Sequence, residues 1–114
     1  MALYQELQQF TGTQHYYRHF TGLLYTDGIQ YLADHGQCYW LIDLVGSYQH
    51  TLRDIPFQLW QIVVDDNTDS AVVTMREDTD QPTKVRQDIP YTDFPLEDFS
   101  WYCIDNIMLL KNEY

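Results

Sequence analysis

At Pro56 the periodicity of the chain changes, and that change restricts the fold more than any other feature. Before Pro56, apolar residues recur at helical spacing; after it, they alternate as in strands. On the helical side, Thr26 or Asp27 stands where an N-cap side chain accepts a free backbone N–H. Ile29, Leu32 and Ala33 follow at i, i+3, i+4, and Gly36 falls where a left-handed residue commonly ends a helix. A second helix is expected from about Cys38 to His50, with Leu41, Leu44, Val45 and Tyr48 on one face and Trp40 widening it. Asp34 and Asp43 fall off the apolar stripe and are expected in solvent. Helices this short are marginal alone in water, so burial of the stripe must stabilise them.

On the strand side, Phe57, Leu59, Gln61 and Val63 alternate with Gln58, Trp60, Ile62 and Val64, which predicts a strand buried largely on both faces. The polar run 65–69 predicts a turn, Ala71 to Met75 a second strand, and Thr83 to Ile89 a charged edge strand. Asp105-Asn106, between the apolar runs 99–104 and 107–110, predicts a two-residue hairpin turn. Pro95 to Asp98 suits a short helical turn. Nearer the start, Ala2 to Phe10 suits a short helix with Leu3, Leu7 and Phe10 on one side. His15 to Phe20 reads as a strand or an irregular segment, and Leu23 to Tyr25 as a brief strand or extended lead-in. Together these predict an α+β fold, with N-terminal helices packed on a mostly antiparallel sheet of four to five strands, in a single domain over 1–114.

The composition narrows the function classes. A hydrophobic content of 45% argues for a folded core. No apolar run is long enough for a membrane span, and no basic-then-apolar leader opens the chain. Cys38 and Cys103 are too few for a disulfide scaffold and suit a reducing cytoplasm, buried and inert. The formal net charge is −11, and residues 65–98 hold ten carboxylates against Arg76, Lys84 and Arg86, a local −7. Direct nucleic-acid binding is therefore not expected, since phosphates need a positive surface. A basic protein surface, such as that of a nucleic-acid-binding protein, is the natural partner for Asp65, Asp66, Asp69, Glu77, Asp78 and Asp80. The alternative is that this charge only keeps an aromatic-rich domain in solution.

Other candidate sites are weaker. Tyr16, Tyr17, Arg18 and His19 combine aromatic walls, a guanidinium and an imidazole, which suits a small ligand or nucleotide. Against that stands a structural role in which Arg18 pairs with Asp27 or Asp34. A small hydrolase would require two or more of His15, His19, Asp27, Asp34 and His35 to meet. His15 and His19 lie too far apart on a strand to share a metal, and no metal or cofactor motif is present.

The blocks FTGTQHYYRH (10–19), LLYTDGIQYLAD (23–34), YWLIDLVGSYQ (39–49), FQLWQIVV (57–64) and DFPLEDFSWYCIDNIMLLKNEY (93–114) resemble a small bacterial domain family of unknown function. That family is met in chromosomes, plasmids and phage genomes. The resemblance implies a compact accessory or counter-defence factor of a mobile element and carries no catalytic residues. The expectation is thus a cytoplasmic, non-enzymatic interaction protein, such as a nucleic-acid mimic or inhibitor. Self-association through exposed tyrosines and tryptophans is compatible with it.

Overall fold

The computed structural model describes residues 2–114. A short helix, α1 (Leu3–Leu7), buries Leu7. Strands β1 (Tyr16–Arg18) and β2 (Leu24–Thr26) form a hairpin, and β2 runs directly into helix α2 (Asp27–His35). Helix α3 (Tyr39–Tyr48) follows and passes into a 3-10 turn at Gln49–Thr51. Then come β3 (Phe57–Asp65), β4 (Ser70–Arg76), β5 (Thr83–Ile89), β6 (Asp98–Ile104) and β7 (Ile107–Leu110).

All seven strands join one mixed sheet in the order β1-β2-β7-β6-β3-β4-β5. The α+β class matches expectation, but the sheet exceeds the four to five strands expected. It also contains one parallel pair, β2 with β7. The difference lies in β1 and β2, which are three residues each and too short to display alternation. They also precede α2 and α3, so the chain does not place its helices first. No helix among the described residues is long and apolar enough to cross a membrane.

The start of α2 forms as its sequence predicts: the Thr26 side chain accepts from the Ile29 amide at 3.4 Å. Ile29, Leu32 and Ala33 are buried. Its end differs. Gly36 has φ −91°, and the left-handed residue is Gln37 at φ +50°. Glycine is needed at 36 for room instead, because a Cβ there would lie 2.8 Å from the Leu32 carbonyl oxygen. In the last hairpin Asp105 and Asn106 take φ +51° and +68°, both left-handed as a type I′ turn requires. The segment before β6 does not form the expected helical turn at Pro95; it is irregular, with bends at Pro95 and Glu97, and β6 begins at Asp98.

The helices cover one face of the sheet. Trp60, Ile62, Val73, Met75, Trp101 and Met108 lie beneath Ile29, Leu32, Leu41, Ile42 and Val45, all at 2% exposure or less. The opposite face has no covering layer. Phe57, Leu59 and Gln61 are only half-buried, and Val63 is 46% exposed. The expectation that β3 is buried largely on both faces is therefore corrected: no helix lies over its outward residues, and Phe57 meets only the edge of the Tyr114 ring, with centroids 6.1 Å apart.

Candidate functional site

Strand alternation separates the Tyr16–His19 segment. Tyr17 points to the helix side, stacks on Tyr25 with ring centroids 5.4 Å apart, and donates its hydroxyl to Asp27 Oδ1 at 2.9 Å. Asp27 also accepts the amides of Gln14 at 2.9 Å and His15 at 3.3 Å, while His15 Nδ1 lies 3.5 Å from its carboxylate. These donors, the Gln14 amide first, hold the Asp27 carboxyl down at about 2. The same contact raises the Tyr17 hydroxyl, because ionising it would place two anions side by side.

His19 turns the other way. Its Nε2 lies 2.6 Å from Asp43 Oδ1, and its Nδ1 lies 2.7 Å from the Thr21 hydroxyl. Asp43 is exposed, as expected, and also holds a histidine against α3. Tyr16 and Arg18 project from the uncovered face of the sheet, opposite Thr26 and Leu24. The expected pairing of Arg18 with Asp27 or Asp34 is not made; among the described residues Arg18 forms no ion pair. Tyr16, Tyr17, Arg18 and His19 therefore do not converge on one ligand. Two of them fasten the N-terminal arm to the helices.

The histidines do not converge either. His15 meets Asp27 and His19 meets Asp43, while His35 stacks on Tyr31 at 3.7 Å and lies 3.9 Å from Asp34. No group of three or more metal-ligating side chains occurs among the described residues. Both cysteines are buried, which pushes each thiol up to about 12.

The carboxylates of the second half fall into two groups, not one. Asp65, Asp66 and Asp69 crowd the β3–β4 turn, whereas Glu77, Asp78 and Asp80 occupy the β4–β5 turn. The seven residues of β4 separate the turns, about 20 Å at ~3.3 Å per residue. The far group is partly neutralised, with Lys84 Nζ 3.5 Å from Glu77. The near group is reinforced by residues distant in sequence. The Val64 amide donates to the Glu97 carbonyl at 2.8 Å and the Thr92 amide to the Asp69 carbonyl at 2.7 Å. This strap brings Glu97 against Asp66, and the shared hydrogen bond and like charge raise the Glu97 carboxyl. Among the described residues, Asp65, Asp66, Asp69, Glu97 and Asp98 make no ion pair. Glu97 and Asp98 were absent from the sequence-derived set because only the pairing of β3 with β6 brings them to the turn.

A cleft of about 660 Å³ between the end of α3 and the last hairpin was also not legible in the sequence. Its floor is a reciprocal amide pair: Gln49 and Gln58 each donate to the other at 3.0 Å, and Trp60 Nε1 donates to Gln58 Oε1 at 2.9 Å. Gln58 also donates to the Ile55 carbonyl, so its amide is fully engaged. The one advance signal was a glutamine among the buried residues of β3.

A profile of a family of unknown function, DUF6876, matches residues 1–114. The chain belongs to this family. No curated protein and no solved structure matches it.

Proposed function

We propose that this protein is a small, non-enzymatic interaction protein that binds a basic partner surface through the acidic end of its sheet. In this reading the contact group is Asp65, Asp66 and Asp69 with Glu97, and Glu77, Asp78 and Asp80 add only long-range attraction. The observation that carries the reading is the crowding of Asp65, Asp66 and Asp69 at the β3–β4 turn, to which the Val64 amide's bond to the Glu97 carbonyl brings Glu97, with no ion pair to any of the four among the described residues. Such crowding is unfavourable in the free protein and is relieved by a lysine- or arginine-rich surface. A partner that normally binds nucleic acid fits this chemistry, consistent with an accessory or counter-defence role for a mobile-element protein in the cytoplasm.

The test is titration of an arginine-rich peptide against the protein over a salt series. Binding is expected to weaken steeply with ionic strength. Charge reversal at Asp65, Asp66 and Asp69 together is expected to weaken it about tenfold or more, ~1.4 kcal/mol, and reversal at Glu77, Asp78 and Asp80 by less. Binding indifferent to salt, or undiminished by reversal at the β3–β4 turn, overturns the reading.

A further inference from the structure

We infer that the uncovered face of the sheet is the contact surface of a second copy of this chain. The strand registers define its rows. Phe57, Ile104, Ile107 and Leu24 form one row, and Leu59, Tyr102 and Leu109 form the next. This apolar band crosses the middle of the sheet and is only half-buried, with the Tyr114 ring edge-on to Phe57 and Tyr102 at one side of it. A contiguous apolar surface of this kind marks an interaction site.

Size agrees with a dimer. Seven strands at ~4.8 Å spacing and four outward residues along β3 give a face of roughly 30 by 20 Å. That is on the order of 600 Å² before side-chain relief, close to the ~800 Å² per partner of a standard interface.

Charge selects the occupant. Register places Arg18, Arg76 and Arg86 on this face, with Lys111 Nζ 5.7 Å above the Tyr102 ring. These are four of the six basic residues, against Asp65, Asp88 and Asp98 on the same face. The remaining charges are fourteen acidic residues and two basic ones. Two copies meeting through any other surface oppose strong negative charge; through this one they do not. A basic partner, by contrast, meets a nearly balanced surface here and is drawn to the β3–β4 end. Two such sheets would pack face to face, about 10 Å apart.

Sedimentation equilibrium on the intact protein from about 1 µM to 1 mM tests this. The expected mass is twice 13.6 kDa in the upper part of the range, with association unchanged or strengthened by added salt. Leu59→Lys and Leu109→Lys are each expected to weaken dimerisation at least tenfold while circular dichroism stays unchanged. Val63→Lys, at a 46% exposed position, is the variant least able to disturb folding and is expected to weaken the dimer several-fold. A monomer throughout the range overturns the inference, as does a dimer that persists in the folded variants. The salt response separates this surface from the acidic end, where association weakens as salt rises, so either assignment can fail without the other.

Discussion

Leu59 and Trp60 are neighbours in β3, both apolar, and they occupy opposite environments. Trp60 is fully buried beneath the helices, with its indole N–H bonded to Gln58. Leu59 stands half-buried on the sheet face that no helix covers. Alternation along a strand announces that there are two faces; it does not say what covers each. A face destined for a partner and a face destined for the core select the same residue types, which is why β3 reads as buried on both sides.

The sharpest way to break the comparison is truncation at both positions. Trp60→Ala is expected to cost ~3–5 kcal/mol, since it opens a cavity in the core. Leu59→Ala is expected to cost about 1 kcal/mol or less in the monomer. Urea denaturation at a concentration below association checks both, and equal losses would mean that the outer face is covered after all.

Within the covered face, the two stacked tryptophans provide a finer comparison. Their ring centroids are 6.4 Å apart, but among the described residues the Trp101 indole N–H has no partner, whereas that of Trp60 does. Trp101→Phe removes an unmet buried donor and is expected to cost ~1–2 kcal/mol less than Trp60→Phe. The same denaturation series reads the difference, and the reverse order would show that Trp101 is hydrogen-bonded in solution.

The smallest effects are the pH responses of two exposed carboxyls with opposite shifts. Asp27 is lowered from 3.8 to about 2, so its contribution is complete above pH ~4 and fades as pH falls towards 2. Asp27→Asn should flatten the acid limb of the melting curve. Glu97 is raised above 4.5 by Asp66, so its contribution is complete below that value and is lost as pH rises through the folded one. Glu97→Gln should flatten that opposite slope. Melting temperatures across pH 2–7 check both signs.

Much of the fold was legible where one element contains its own signals. The N-cap at Thr26, the stripe of α2, the β3–β4 hairpin and the Asp105-Asn106 turn are all local, and each forms as read. What was not legible depends on contacts between distant residues. The segments 15–20 and 23–25, each readable as strand or irregular chain, are settled as strands only by pairing with each other and with β7. The Tyr16–His19 cluster looked like a site because it is dense in sequence, yet a period of two sends its members to different neighbours. The acidic run was legible as charge but not as geometry: β4 divides it, and the pairing of β3 with the segment entering β6 returns Glu97 to the first turn.

The position of β7 carries a consequence for how the molecule is made. It lies between β2 and β6, and of the seven strands of the sheet it is the last to be synthesised. Glu113, just beyond it, accepts from the Thr26 hydroxyl and the amides of Gly28 and Leu110, and a Cβ at Gly28 would collide with both Leu110 and Glu113. Until those residues emerge, the first hairpin has no seam to join and α2 lacks one wall. Synthesis from the N-terminus therefore cannot lay this sheet down strand by strand; its centre closes last, and a nascent chain arrested before β7 should be an easy substrate for proteolysis.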